Sequence, residues 1–258
     1  MNDPGRSDSA DSTNWPAKAG GGNRLLEALS LESLSLLQPY LRQRGFGAGS
    51  ILWEPNDAYD DIYFPSSGLV CIALPLPNGH DVEVASVSRE GAAGMPYAAA
   101  NCRTTRAIVV VGGTHTCVPA EAFCKLANQS AELAAMGALA RHWILLQAQR
   151  LAACNAIHSV EARFCRWLMF ATDRMGCDEI PVTQEEISAL LGVRRTTVTL
   201  VAQKLQATGA INCSRGKVAI RDRQQLRAMT CNCHAAFNPG GWPSHRLHPS
   251  EIADARAS

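Results

Sequence analysis

Residues 194–227 carry eight Lys or Arg (Arg194, Arg195, Lys204, Arg215, Lys217, Arg221, Arg223 and Arg227) against one acid, Asp222. Cationic groups gathered in this way attract phosphate oxygens, and a guanidinium can also donate two parallel hydrogen bonds to the O6 and N7 edge of guanine. The formal charge of the whole chain is only +1, so any attraction for a polyanion is local. On charge alone, a solvated basic surface is an equal alternative. A second cluster, Cys231, Cys233 and His234, places three soft ligand types within four residues and offers part of a metal or redox site. Four suitable ligands are not visible together, so reduced, solvent-exposed thiols are the simpler reading and no metal site is assigned.

The basic residues need an element to present them, and TQEEISALLGVRRTTVTLVAQKL, residues 183–205, supplies one. Thr183 followed by Glu186 is a capping box opening the helix QEEISALL. Gly192 provides a tight turn and Val193 fills its corner. In the next helix Val198, Val201, Ala202 and Leu205 fall at i, i+3, i+4 and i+7, which gives one buried face and turns Arg195, Thr196, Thr199 and Gln203 outward. A helix, a short glycine turn and a second helix form the arrangement whose second helix enters the DNA major groove. GAINCSRGKVAI then reads as two short strands around Arg215-Gly216, a basic wing.

The remainder of the 258 residues leaves room for a second domain. Residues 24–42 place Leu25, Leu26, Leu29, Leu34, Leu37 and Leu41 at amphipathic spacing. From Gly45 onward the short runs SILWE, DIYFP, GLVCIAL, HDVEVASV and RAIVVV, parted by Gly, Pro and Asn, predict an antiparallel sandwich or barrel. Residues 120–158 read as helix, with Met136, Leu139, Trp143, Leu146, Arg150 and Ala153 alternating by three and four. Such a stripe packs on its own domain or on a second copy, with Trp143 as the central anchor. The expected organisation is an arm over 1–22, a sensor domain over 23–127, a connector helix over 128–157, a winged helix over 158–234 and a loose tail over 235–258. No secretory leader or membrane span is read, and a cytoplasmic location follows. The ten cysteines are expected to be reduced and mostly buried.

Taken in order, YFPSSGLV, SREGAAG, HSVEARFCRWL, VTQEEISALLGVRR, LQATGAI and SRGKVAIRDR resemble the Crp/Fnr family of bacterial transcription regulators over residues 23–234. The resemblance implies an α+β chain: a cyclic-nucleotide-binding-like antiparallel β-barrel of jelly-roll type, a long dimerisation helix and a C-terminal winged helix-turn-helix. It also implies a homodimer that binds two-fold symmetric double-stranded DNA and acts with RNA polymerase. Carried over by position, Arg195 reads guanine and Thr197 contacts phosphate. Lys204, Arg215 and Lys217 clamp the backbone, and Arg194, Thr196, Thr199 and Gln203 complete the DNA-binding set. Thr196 stands where the family often has glutamate and Leu200 where it often has arginine, so the familiar operator is not carried over.

In the sensor the family's ribose-binding Gly-Glu pair aligns with Gly94-Met95, and Arg106-Ala107 lies one residue out of register with its phosphate-binding pair. Arg106 is therefore the only candidate for an effector contact. Cyclic AMP is not expected as effector, because Met95 cannot accept the ribose hydroxyls. No cysteine precedes Cys71, which excludes an iron–sulfur site on clustered N-terminal cysteines, and Cys71, His80 and His115 show no spacing that singles out a haem ligand. The competing class is a metal-dependent, cupin-like barrel enzyme, for which His80, Asp81 and Glu83 offer one histidine with following acids but no second histidine.

Overall fold

The computed structural model describes residues 22–77, 81–97 and 102–237. Most of the expected N-terminal arm and C-terminal tail, and His80, lie outside the described residues. The chain opens with two short helices, α1 (Arg24–Glu27) and α2 (Leu31–Leu37). The buried amide of Asn23 ties α1 to the sheet domain by donating to the carbonyls of Pro65 and Gly91, both at 2.9 Å.

Seven strands follow: β1 (Arg42–Phe46), β2 (Ile51–Trp53), β3 (Asp61–Pro65), β4 (Leu69–Pro75), β5 (Asp81–Val87), β6 (Arg106–Val111) and β7 (Gly113–Pro119). They form two antiparallel sheets, ordered β1-β7-β3 and β2-β6-β4-β5. The strands are antiparallel, as the short turn-punctuated runs predict; of the sandwich or barrel those runs allow, the described strands pair as two separate sheets and not as one closed ring. One core lies within the sheet domain, around Trp53, Tyr63, Val70, Ile72, Val87 and Val109. A second, formed by Leu25, Leu26, Leu37, Phe64, Phe123, Leu133 and Met136, glues the flanking helices to the β3 side.

The helical stretch expected over residues 120–158 is broken into α3 (Ala120–Ala127) and the long α4 (Ala131–Ile157), with Ser130 capping α4 by accepting from the Leu133 amide. Leu133, Met136, Ala140, Gln147, Leu151 and Cys154 form the inward stripe of α4. Met136 is thus part of its own domain's core rather than of an intermolecular seam, while Leu139, Trp143, Leu146 and Arg150 are half-buried and Ala153 alone of that spacing is exposed. The exposed stripe lies elsewhere, at Ala138, His142, Leu145, Gln149, Ala152 and Ala156, again alternating by four and three. No helix among the described residues is long and apolar enough to cross a membrane.

After α4 come α5 (Val160–Met175), β8 (Glu179–Ile180), α6 (Gln184–Leu191), α7 (Arg195–Ala207), β9 (Ile211–Ser214), β10 (Lys217–Ile220), α8 (Arg223–Ala228) and α9 (Cys233–Phe237). Helix α5 is buried nearly all round, as a helix must be when it is packed on two sides. Phe164, Trp167, Leu168 and Met169 join Ile187, Val198, Leu205 and Val218 of the C-terminal unit to Leu69, Cys71 and Val110 of the sheet domain in one continuous core. Polar groups seal the junction. The buried Arg174 donates to the Ser86 carbonyl at 2.6 Å and pairs with Glu90 at 2.9 Å. Burial raises the pKa of Glu83, opposed by its Ser86 hydrogen bond and by Arg166 and Arg174.

Candidate nucleic-acid interface

Each link of the two-helix motif is present in the geometry. The Thr183 hydroxyl accepts from the Glu186 amide at 3.2 Å, and the Glu186 carboxylate accepts from the Thr183 amide at 2.6 Å. A capping box of this kind stabilises a helix start by about 1 kcal/mol. Gly192 ends α6 at φ 63°, a left-handed conformation that disfavours any side chain. A Cβ there would also stand 3.2 Å from a Val82 methyl group of β5, so the turn is constrained twice, by its own backbone and by the sheet domain beneath it.

Helix α7 buries Val198, Ala202 and Leu205 completely, and its opposite face is open. Arg195 is the first residue of α7, and Arg194 caps it without a side-chain hydrogen bond. The Thr197 amide turns back to the Arg194 carbonyl at 2.9 Å, which leaves the Arg195 and Thr196 amides at the start of α7 for an acceptor such as phosphate. Arg194, Arg195, Thr196, Gln203 and Lys204 are exposed and Thr197 is half-buried. Thr199 departs from the outward orientation expected of it. It is half-buried, and its hydroxyl donates to the Gln184 side-chain oxygen at 2.7 Å, fastening α7 to α6. Leu200 is 67% exposed on the same face, an apolar group of the kind that can meet a thymine methyl.

The wing is an antiparallel hairpin in which Ser214 pairs with Lys217 around Arg215-Gly216, with Gly216 at φ 74°. Strand β8 pairs with the other edge of β10 and makes a three-stranded sheet of order β8-β10-β9. Arg215 and Lys217 are both exposed, so the wing and the start of α7 carry the cationic groups that charge counting singled out. Several are held by acids within the domain: Arg195 by Glu185 at 3.4 Å, Lys204 by Glu161 at 2.6 Å and Lys217 by Glu179 at 2.8 Å. All three cations are largely exposed, and such pairs hold by ~0.2–1 kcal/mol at most, so a polyanion can displace them.

The sensor side differs from the expectation for Arg106. Its guanidinium is neutralised by Glu54 and Asp81, each at 2.6 Å, and those partners hold its pKa above the ordinary value, the Glu54 hydrogen bond first. A cavity of about 260 Å³ lies instead between the sandwich and α4, and Arg103 and Arg141 line it with Trp53, Tyr59, Met95 and Tyr97. Arg103 is buried, its guanidinium lies over the Trp53 ring at 4.1 Å, and its Nη1 has no hydrogen-bond partner. Burial pulls its pKa down, partly offset by Tyr63 and Tyr59. Nothing in the spacing of NCRTTR marks Arg103 over Arg106; only strand pairing, which places Arg106 opposite Ala73, decides between them. Met95 does line the cavity, and no carboxylate does so among the described residues. Glu90 is committed to Arg174.

The enzyme alternative gains no support. Among the described residues no three metal-ligating side chains converge inside the sandwich. His115 is fully buried against Phe46, and burial drives its pKa down to about 4. Cys231 and Cys233 are not the solvent-exposed thiols expected, since Cys231 is buried and Cys233 half-buried. His234 turns away from them to Asp173 at 3.0 Å.

Comparison with known proteins agrees with this geometry. Residues 162–229 match the family described as the Crp-like helix-turn-helix domain. A structure assigned to the Crp/Fnr family of transcriptional regulators, from Eubacterium rectale, superposes with a TM-score of 0.64 at 18% identity, covering 80% of this chain and 97% of that one. The c-di-GMP-responsive global regulator CLP of Xanthomonas campestris gives 0.63 at 16% identity over 74% of this chain and 99% of its own. FixK2 of Bradyrhizobium japonicum gives 0.64 at 14% identity, with 74% and 98% covered. No curated protein sequence matches the chain significantly. At such identities the superpositions establish a shared fold.

Proposed function

We propose that this chain, which carries a Crp-like helix-turn-helix domain at residues 162–229 on the fold of Crp/Fnr regulators, is a sequence-specific DNA-binding transcriptional regulator and not an enzyme. The observation that carries the reading is α7: a helix with three fully buried positions on one face and an open face headed by Arg194 and Arg195, flanked by a cationic wing. Arg195 reads a base edge. Arg194, Thr197, Lys204, Arg215 and Lys217 hold phosphates, and Thr196 and Gln203 face neighbouring bases. Thr199 positions α7 through Gln184 and contributes little directly.

The regulator works in the cytoplasm as a homodimer on two-fold symmetric DNA and engages RNA polymerase. The exposed stripe of α4 from Ala138 to Ala156 supplies a self-complementary surface for that dimer, continuous with the helix that enters each DNA-binding unit. Signals reach the protein through the cavity under α4, where Arg103 and Arg141 supply positive charge and the aromatic rings supply flat apolar walls. That lining suits an anionic planar effector other than cyclic AMP.

Selection of bound duplexes from a random pool tests the function directly. The expected result is a two-fold symmetric consensus with half-sites about one helical turn apart, ~34–36 Å. Affinity for it should fall steeply with salt as counterions return to the phosphates. Failure to enrich any duplex, or salt-independent binding, refutes the proposal.

A further inference from the structure

The end of α4 and the segment after the winged helix meet at a group of side chains that the DNA-binding reading does not use. Cys154 lies one turn before the end of α4 and His158 is its C-cap residue, so the i, i+4 spacing puts both on one face. Cys231 and Cys233 approach from the other side, where α9 packs against α4 and α5. One ligand atom from each of the four lies within 4.8 Å of every other. The Cys154 and Cys231 sulfurs are 3.6 Å apart, and the Cys233 sulfur is 3.7 Å from His158 Nδ1.

These two separations fit a single tetrahedral ion. With metal–sulfur bonds of ~2.3 Å and tetrahedral angles, two sulfurs on one zinc stand roughly 3.8 Å apart, and a sulfur and an imidazole nitrogen slightly less. Iron–sulfur clusters hold their ligands on separate irons and need a wider mouth. Hard cations that favour oxygen find no carboxylate in the group. Cys154 and Cys231 are buried, while His158 and Cys233 are half-buried and leave a path for the ion to enter.

We propose that Cys154, His158, Cys231 and Cys233 form a Cys3His site for one zinc-class divalent ion. The ion binds as three thiols release their protons to solvent and the neutral imidazole coordinates through Nδ1; nothing is oxidised or reduced. Three thiolates and a dication leave one negative charge, and the buried guanidinium groups of Arg163 and Arg166 lie within Coulomb range of the sulfurs to offset it. The ion ties the end of α4, the α4–α5 junction at His158 and the segment leading to α9 into one unit. It thereby fixes the angle at which the DNA-binding domain leaves the long helix. Metal binding itself does not depend on the DNA-binding reading.

Titration of the reduced, metal-free full-length protein with Co2+ tests the site. One equivalent per chain should give thiolate-to-metal charge-transfer absorption and the visible bands of tetrahedral cobalt, all displaced by one equivalent of Zn2+. Cys233→Ser and His158→Ala alter half-buried positions and should keep the fold by circular dichroism. Each should weaken Co2+ by more than the ~10–100-fold that a lost outer-shell partner costs. His234→Ala, whose ring is engaged by Asp173, and Cys213→Ser should bind as the parent does. Absence of tetrahedral cobalt bands in the parent overturns the proposal. So does their persistence in folded Cys233→Ser and His158→Ala, or a Cys154–Cys231 disulfide that forms in air in a protein taking up no metal after reduction.

Discussion

Replacing Arg195 by alanine separates base reading from simple charge attraction. In the free protein its Nε sits 3.4 Å from Glu185 Oε2, with the two side chains 69% and 68% exposed. Breaking so exposed a pair costs ~0.2–1 kcal/mol. A bidentate contact to guanine discriminates against a wrong base by ~1–3 kcal/mol. The difference leaves a net gain of about 1–2 kcal/mol, so Arg195→Ala should weaken binding to the selected operator roughly tenfold. The loss should be confined to operators bearing the preferred pair at one position per half-site. Glu185→Gln should have the opposite sign, tightening binding a few-fold, because the arginine no longer has to leave a partner. Fluorescence anisotropy at fixed salt, over the consensus and every single-base variant, measures both. Lys217, which pairs with Glu179 across the wing, is the control: Lys217→Ala should weaken all sequences alike and lower the salt slope by about one. If Arg195→Ala and Lys217→Ala gave parallel losses across the set, the assignment of Arg195 to a base edge would be wrong.

Three further outcomes are expected. His115 is buried with a folded-state pKa of about 4 against its ordinary 6.5, so the unfolded chain binds the extra proton. Stability should therefore fall by ~1.4 kcal/mol per unit as pH drops below 6.5, reaching about 3 kcal/mol near pH 4. Denaturant unfolding should show stability falling more steeply in the parent than in His115→Leu by that amount, and equal slopes refute the burial argument. Leu145→Asp places a charge in the exposed stripe of α4 and should give monomers by sedimentation with an unchanged circular dichroism spectrum, the melting temperature falling only by the lost subunit association. If Leu145→Asp remained dimeric while Trp143→Asp dissociated, the seam would follow the 136–153 spacing instead. Calorimetry with cyclic AMP and cyclic GMP should show binding weaker than micromolar, since an unpaired buried donor costs ~1–3 kcal/mol and Met95 accepts none. Micromolar binding of either would show that another group meets the ribose.

Local rules made much of the DNA-binding unit legible. The cap at Thr183, the glycine at 192 and the 3.6-residue spacing of Val198, Ala202 and Leu205 act over a few residues. The backbone satisfies them whatever the rest of the chain does. The alternation of short apolar runs with turn residues likewise pointed to antiparallel strands, but not to whether they close into a barrel or divide into two sheets. What distance in the chain separates, only tertiary structure could decide. The identity of the arginine in the cavity turned on strand register, which hands Arg106 to Glu54 and Asp81 and leaves Arg103 beside Trp53. The buried side of α4 was set by which stripe met β5 and the flanking helices, a choice among stripes of similar hydrophobicity that periodicity cannot rank. Cys231 and Cys233 looked like an incomplete ligand set because their partners, Cys154 and His158, lie more than seventy residues earlier in the chain. Sequence determines which groups a short segment can offer, but convergence depends on how segments pack, and packing is decided by the burial of the whole core at once.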